Sequence, residues 1–265
     1  MGIGNTILKA WDSHFHLDCT SQTLFGNQEA SLVNILAAEV GSMPKIKVEV
    51  VGGIMVYCDP ENYPTNIKCQ RKGFGAAGGI HPKKAPLFPH TKFEELRNLL
   101  RLKTVVALGE IGRDRCAPAS TWKLQEEIFV KVLQLSMPIR PVFWHMRDAA
   151  DQNCGEVGAR CLQIMKANVA PTQRIHLHCF TGTVEQVVSW LETFPKCYFG
   201  VTGLVREFDC FQKVALRRIP RGHLLIETDA PYIRPLQASA SIPSFIGEVA
   251  LAVSRVRGET VEEVL

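Results

Sequence analysis

Asp12-Ser13-His14-Phe15-His16-Leu17 closes the first apolar run of the chain and carries two histidines two residues apart. Residues at that spacing on a strand point to the same side, so His14 and His16 can face one interior and grip one ion. The same design recurs outward along the sequence. Glu110 ends Val105-Val106-Ala107-Leu108-Gly109, His145 closes Pro141-Val142-Phe143-Trp144, His178 closes Ile175-His176-Leu177, and Asp229 closes Leu224-Leu225-Ile226-Glu227-Thr228. Six metal-binding side chains at the ends of five apolar runs point to one shared site. A parallel barrel gathers its chemistry at the carboxyl ends of its strands.

The segments between these runs support that reading. Strand candidates near 10–16, 48–57, 73–81, 104–112, 139–146, 174–180, 197–203 and 223–229 alternate with helix candidates near 28–40, 60–71, 91–102, 121–136, 148–168, 183–193, 206–218 and 243–257. Eight strands alternating with eight helices predict a (β/α)8 TIM barrel spanning residues 1–265 as one domain. An open doubly wound sheet is the rival, but it would gather its ligands at one switch point, whereas these come from strands one, four, five, six and eight. Leu124, Ile128, Val132 and Leu135 recur at helical spacing, with Thr121 placed to cap the start. Pro64 disrupts the pattern near 60–71. The stretch 18–30, containing Phe25-Gly26-Asn27, reads as a loop covering the site. Gly258 should stop the helix near 243–257, and the segment beyond it, with Thr260 and Glu263 as a capping pair, is too short to stand alone. The expectation is that this end frays or lacks a final helix.

Composition narrows the classes. Hydrophobic content of 46% and charged content of 21% describe an ordinary globular chain. No apolar run approaches the ~18 residues of a spanning helix, so no membrane association is expected. The first six residues carry no basic, apolar leader, although Gly2 with Thr6 loosely fits a myristoylation pattern. Nine cysteines without a Cys-x-x-Cys pair argue against a zinc ribbon and a disulfide framework. Reduced thiols and a cytoplasmic or nuclear location follow. A net charge of +4 permits a polyanionic partner without demanding one. No Gly-x-Gly-x-x-Gly or Walker loop is present.

Individual residues then take provisional roles. Asp12 shares the parity of His14 and either orients a ligand histidine or serves the framework. Glu227 has the parity of Asp229 and is a candidate to orient a ligand. His176 lies one layer below His178 and reads as a core histidine. His81, in Gly79-Ile80-His81-Pro82, sits at the end of strand three and is placed to touch a substrate oxygen. Arg147 can reach a phosphate or form a salt bridge. A salt bridge from Arg113 or Arg147 is the alternative to a metal at Glu110. His90 and His223 read as surface residues, and Cys179 should point outward with no nucleophilic role.

At this point the chain resembles the TatD family of metal-dependent deoxyribonucleases. The resemblance rests on Asp12 through Leu17, Gly79-Ile80-His81-Pro82, Gly109-Glu110-Ile111-Gly112-Arg113-Asp114, Pro141 through His145 with Arg147 and Ala149, His178-Cys179-Phe180-Thr181-Gly182, and Glu227-Thr228-Asp229-Ala230-Pro231-Tyr232. Gly112-Arg113-Asp114 stands where the family usually has Gly-Leu-Asp, and Ile233 through Ser241 lacks most of the basic character usual there. The resemblance implies a TIM barrel with metal ligands His14, His16, Glu110, His145, His178 and Asp229, and cleavage of DNA phosphodiesters, typically as an exonuclease.

The expectation is therefore a 3'-5' exonuclease, monomeric and acting on single-stranded DNA, with two divalent ions (magnesium, manganese or zinc). Glu110 would bridge them, with His14, His16 and Asp229 on one and His145 and His178 on the other. Asp229 would orient the attacking water, and His81 and Arg147 would meet the phosphate. Two alternatives remain. A metal-dependent amidohydrolase or lactonase would share the His-x-His but often uses a lysine where Glu110 stands. A non-catalytic barrel scaffold would not need the ligand set.

Overall fold

Eight short strands, all parallel, pair in sequence order into one sheet. They are β1 (Leu8–Phe15), β2 (Val48–Tyr57), β3 (Phe74–Gly78), β4 (Val105–Asp114), β5 (Val142–Arg147), β6 (Ile175–His178), β7 (Cys197–Val201) and β8 (Leu224–Ile226). This computed structural model describes residues 7–29, 31–67, 71–89, 91–135, 141–147, 155–235 and 237–265. The sheet curls until its last strand meets its first. Ser13 Oγ donates to the Ile226 carbonyl at 2.9 Å. Beyond β8 the Asp229 N–H donates to the His14 carbonyl at 3.0 Å, and the His16 N–H to the Ala230 carbonyl at 2.8 Å. The predicted TIM barrel is the observed fold.

Alternation on β1 is visible in burial. Asp12 and His14 are fully buried, while Trp11 is 53% exposed on the outer wall. The outer faces of most strands pack against helices in one continuous apolar cluster that includes Phe15, Leu108, Phe129, Trp190 and Phe199. Each such fully buried side chain contributes about 1.5–3 kcal/mol. Val56, Cys58, Ala77 and Ala107 form a small separate cluster.

The helices are α1 (Leu17–Phe25), α2 (Leu32–Leu36), α3 (Lys92–Arg101), α4 (Trp122–Leu133), α5 (Gly155–Asn168), α6 (Val184–Thr193), α7 (Cys210–Arg218), α8 (Ile246–Arg257) and α9 (Val261–Val264). Four expectations are corrected. The supposed loop at 18–30 holds α1, a full helix closed by Gly26. The helix expected near 60–71 is only a 3-10 turn, Pro60–Asn62, because two prolines limit it; residues 68–70 lie outside the described ones. The segment near 206–218 splits into a 3-10 turn, Gly203–Glu207, and α7, since Asp209 caps the latter reciprocally with Gln212. Thr121 does not cap α4 with its side chain; its hydroxyl donates to the Pro118 carbonyl at 2.7 Å instead. Gly258, at φ 70°, ends α8 as expected. After it, Thr260 and Glu263 form a capping box, and Val261, Val264 and Leu265 pack on the core. Among the described residues no helix is long and apolar enough to cross a membrane.

Candidate metal centre

At the carboxyl end of the barrel, His14 and His16 project inward from β1 with their Nε2 atoms 3.3 Å apart. Asp229, beyond β8, faces them. Its Oδ1 lies 3.8 Å from His14 Nε2, 3.4 Å from His16 Nε2 and 3.6 Å from His178 Nε2. The His14 and His178 rings stack at 3.6 Å. Asp229 adopts φ 50° and Cys179, just after His178, φ 49°. Both strand ends therefore turn through the left-handed region that ordinary side chains avoid, a local cost that tends to appear at functional sites.

Glu110 rises from β4 with its two oxygens facing different neighbours. Oε2 lies 3.9 Å from His14 Nε2, 3.7 Å from His16 Nε2 and 3.6 Å from Cys58 Sγ. Oε1 contacts His145 Nδ1 and lies 4.0 Å from His81 Nε2. Arg113, the alternative partner, pairs with Glu126 at 3.2 Å instead. Arg147 closes β5, but its side chain lies outside the described residues, as does His90.

A further layer of carboxylates and carbonyls fixes which ring nitrogen faces inward. His16 Nδ1 meets the Val56 carbonyl at 3.2 Å. His178 Nδ1 meets Glu227 Oε1 at 2.9 Å, and His145 Nε2 meets Asp114 Oδ2 at 3.2 Å. With a metal bound, the nitrogen facing each of these oxygens would keep the proton and the other would present its lone pair to the site. His81 has the opposite polarity. Its Nδ1 accepts the Lys83 N–H at 3.1 Å, so Nε2 carries the proton in the neutral ring and points inward as a donor. Burial and the neighbouring His145 push His81 down to about 3, which keeps it neutral.

The electrostatics follow from this density of charge. Burial opposes charge on Glu110, yet His145, His81 and His178 hold its carboxyl well below the usual range. Burial likewise opposes charge on His178, but Glu227 and Asp229 outweigh it and raise the imidazole to about 10. His145 rises to about 8 against burial because Glu110 and Asp114 flank it.

The residues fit divalent ions. Asp229 Oδ1 is buried and has no hydrogen-bond partner among the described residues, although three imidazole nitrogens surround it. Metal–ligand bonds of about 2.0–2.2 Å put neighbouring ligand atoms roughly 3–3.5 Å apart, close to the spacings here. Two clusters meet at Glu110: His16, Cys58 and Glu110 on one side, and Glu110 and His145, with the His81 ring beside them, on the other. His14, His16 and Asp229 form a further group. The structure thus brings all six expected ligands to one end of the barrel. His178 stands beside Asp229 and His14, with its ring centroid 6.2 Å from that of His145.

The remaining residues of the site make further contacts. Asp12 accepts the Thr228 N–H at 3.0 Å, the Thr228 hydroxyl at 2.5 Å and the His14 N–H at 3.3 Å. It ties β1 to the segment after β8. His176 is buried with Nε2 2.9 Å from Glu227 Oε2, so Glu227 sits between two imidazoles. Gly200 on β7 makes room for them, because a Cβ there would collide with His176 Nε2 and Glu227 Oε2. His223 is half-buried, with Nδ1 2.7 Å from the Cys197 carbonyl. Cys179 donates its N–H to Glu227 Oε1 at 2.5 Å. Sequence reasoning missed Asp114 and Cys58. Asp114 was available from parity, since Glu110, Gly112 and Asp114 alternate along β4. Cys58 follows directly on β2, a position at which no ligand pattern singled it out.

Comparison with known proteins agrees with this architecture. The chain is 30% identical over 252 residues to the human 3'-5' RNA nuclease TATDN2, an alignment covering 93% of this chain but only 31% of that protein. It is 32% identical over 195 residues to the 3'-5' ssDNA/RNA exonuclease TatD of Edwardsiella piscicida, covering 69% of this chain and 70% of that one. Solved structures share the fold. A TatD family hydrolase from Entamoeba histolytica superposes with TM-score 0.75 at 19% identity, over 98% of this chain and 95% of that one. YJJV, a TatD homologue from Escherichia coli, gives TM-score 0.73 at 21% identity, over 96% and 92%. The profile of the family described as TatD related DNase matches residues 11–265, and the chain belongs to that family.

Proposed function

We propose that this barrel is a divalent-metal-dependent phosphodiesterase that removes nucleotides from the 3' end of single-stranded nucleic acid, DNA being the expected substrate. The observation that carries this is Glu110, whose two carboxylate oxygens each face a separate set of ligand atoms. Glu110 Oε2 with His14, His16 and Asp229 would hold one ion, with His178 alongside. Glu110 Oε1 with His145 would hold a second. Magnesium, manganese and zinc all suit such a mixture of imidazole and carboxylate.

When bound, the ions supply a bound water of lowered pKa and neutralise charge on the phosphoryl oxygens. The chain's own groups do the rest. Asp229 is placed to orient the attacking water. The His81 Nε2–H donates toward an oxygen of the phosphate, and at 25% side-chain exposure it stands where substrate enters. The reach of Arg147 toward that phosphate remains part of the proposal. Glu227 and Asp114 keep His178 and His145 in the ligating tautomer. Every ligand comes from one chain, which makes the site complete in a monomer. Among the described residues no disulfide joins two cysteines, as suits an intracellular compartment.

The experiment is digestion of 5'-labelled single-stranded DNA and RNA by the purified protein with magnesium, manganese, zinc or EDTA. A metal-dependent ladder shortening from the 3' end is the expected result. Intact strands with every metal, from protein that carries bound metal, would overturn the nuclease reading.

A further inference from the structure

Three residues after Asp229, the chain leaves an aromatic ring uncovered. Tyr232 is 59% exposed, although its N–H is held by the Asp229 carbonyl at 2.9 Å in a tight turn. Its ring meets the His16 ring edge-on, with centroids 5.4 Å apart and planes at 74°. The ring therefore stands at the mouth of the metal centre, with much of its surface open. Exposed aromatics also occur at Trp11 on the outer wall, Phe25 at the end of α1 and Phe211 on α7, but it is the Tyr232 ring that meets a ligand ring, that of His16. Beside Tyr232 lie two exposed cations. Arg234 follows it by two residues, and Arg206 Nη2 donates to the Arg234 carbonyl at 3.3 Å.

An open aromatic ring with an exposed arginine two residues on, and a second arginine bonded to that residue's carbonyl, has the chemistry that binds unpaired nucleic acid. Bases stack on the ring regardless of identity, and the cations track the phosphates. We infer that Tyr232 is the platform on which a nucleobase near the 3' end stacks, with Arg206 and Arg234 meeting the adjoining backbone. This rests on the nuclease reading and deepens it. An interior base of a duplex has both faces covered by its neighbours, so beyond the terminal base the platform can stack only on an unpaired strand.

The test is a ring-against-base cycle. Fluorescence anisotropy measures binding of the metal-loaded protein to a labelled phosphorothioate single strand, which resists cleavage during the measurement. Wild type, Tyr232→Ala and Tyr232→Phe are each titrated with an intact strand and with one whose last three nucleotides are abasic. Tyr232→Ala should weaken binding of the intact strand about tenfold, and that of the abasic strand by less than about twofold. Tyr232→Phe should bind as wild type does. The inference is overturned if the alanine variant weakens both strands equally or neither, if phenylalanine behaves like alanine, or if wild type binds no strand. Cleavage of an ordinary phosphodiester strand decides the nuclease reading separately. Binding with ring–base coupling but no cleavage would refute that reading alone, and cleavage without coupling would refute only the platform.

Discussion

Replacing Glu227 with glutamine removes one charge and almost no volume, and the structure says what each atom would lose. Oε1 accepts the Cys179 N–H at 2.5 Å and faces His178 Nδ1 at 2.9 Å. Oε2 faces His176 Nε2 at 2.9 Å and the Ser13 hydroxyl at 3.4 Å. The Cys179 N–H and both imidazoles can donate, while the Ser13 hydroxyl gives its one proton to the Ile226 carbonyl, so a carboxylate suits these neighbours and an amide does not. One side of the new amide would present an NH2 group to a donor, forcing either His176 or His178 to change tautomer. Breaking a buried pair of this kind costs about 3–5 kcal/mol, and each kcal/mol lowers Tm by about 2–4 °C in a domain of this size. If His178 is the ring that flips, its inward Nε2 gains the proton and loses its lone pair, and metal affinity should fall about 10- to 100-fold. Thermal melting of metal-free protein and competition titration with a metallochromic chelator measure the two effects independently. A variant with wild-type affinity but lowered Tm would make Glu227 a framework residue only. Unchanged values in both measurements would refute the whole assignment.

Three further outcomes follow from particular contacts. Asp229→Asn should lower the metal-free Tm at neutral pH, because the Asp229 carboxylate helps hold the charge on buried His178; metal at 100 times the wild-type Kd should also give less than the about 2.7 kcal/mol of stabilisation expected for wild type, read by calorimetry with and without the ion, and an unchanged metal-free Tm would contradict the pairing. Gly200→Ala should destabilise by about 1–3 kcal/mol in urea titration, since the added Cβ meets His176 and Glu227, and wild-type stability would show that this wall gives way. Arg160, through its hydrogen bond, and Arg113 hold Glu126 below the usual carboxylate range. A carboxyl depressed in the folded state adds stability above its unfolded pKa of about 4.3 and loses it as pH falls through the lowered value. Glu126→Gln should therefore cost up to about 1 kcal/mol at neutral pH and progressively less in acid; a cost that grows as pH falls would contradict the sign.

The barrel was legible because eight apolar runs alternate with helical segments and five of those runs stop at a polar ligand, and that signal survives without any tertiary information. Helix α1 was not legible: Leu17 through Phe25 carries Asp18, Cys19, Thr20, Ser21 and Thr23, and three of these polar residues, Asp18, Thr20 and Ser21, are buried rather than turned to water. The turn at Pro60–Asn62 was obscured by a helical spacing that Pro60 and Pro64 override. At the site, ligand identity could be read from position at strand ends, whereas partnership could not. Whether His178 stands with His145 or with Asp229 depends on how β6 is placed across the barrel from β1, which no local spacing encodes. Glu227 could be found by parity, but its place between two imidazoles depends on Gly200, a residue on a neighbouring strand.

The most direct test of the account is the single-turnover rate of Glu110→Gln on a 5'-labelled single strand, with metal content and circular dichroism measured on the same sample. A barrel that keeps its wild-type spectrum, binds less metal and cleaves at least about a thousandfold more slowly is the predicted result, since on the proposed two-ion reading the loss of Glu110 would disturb both ions. Wild-type cleavage by a folded Glu110→Gln protein would contradict the account at its centre.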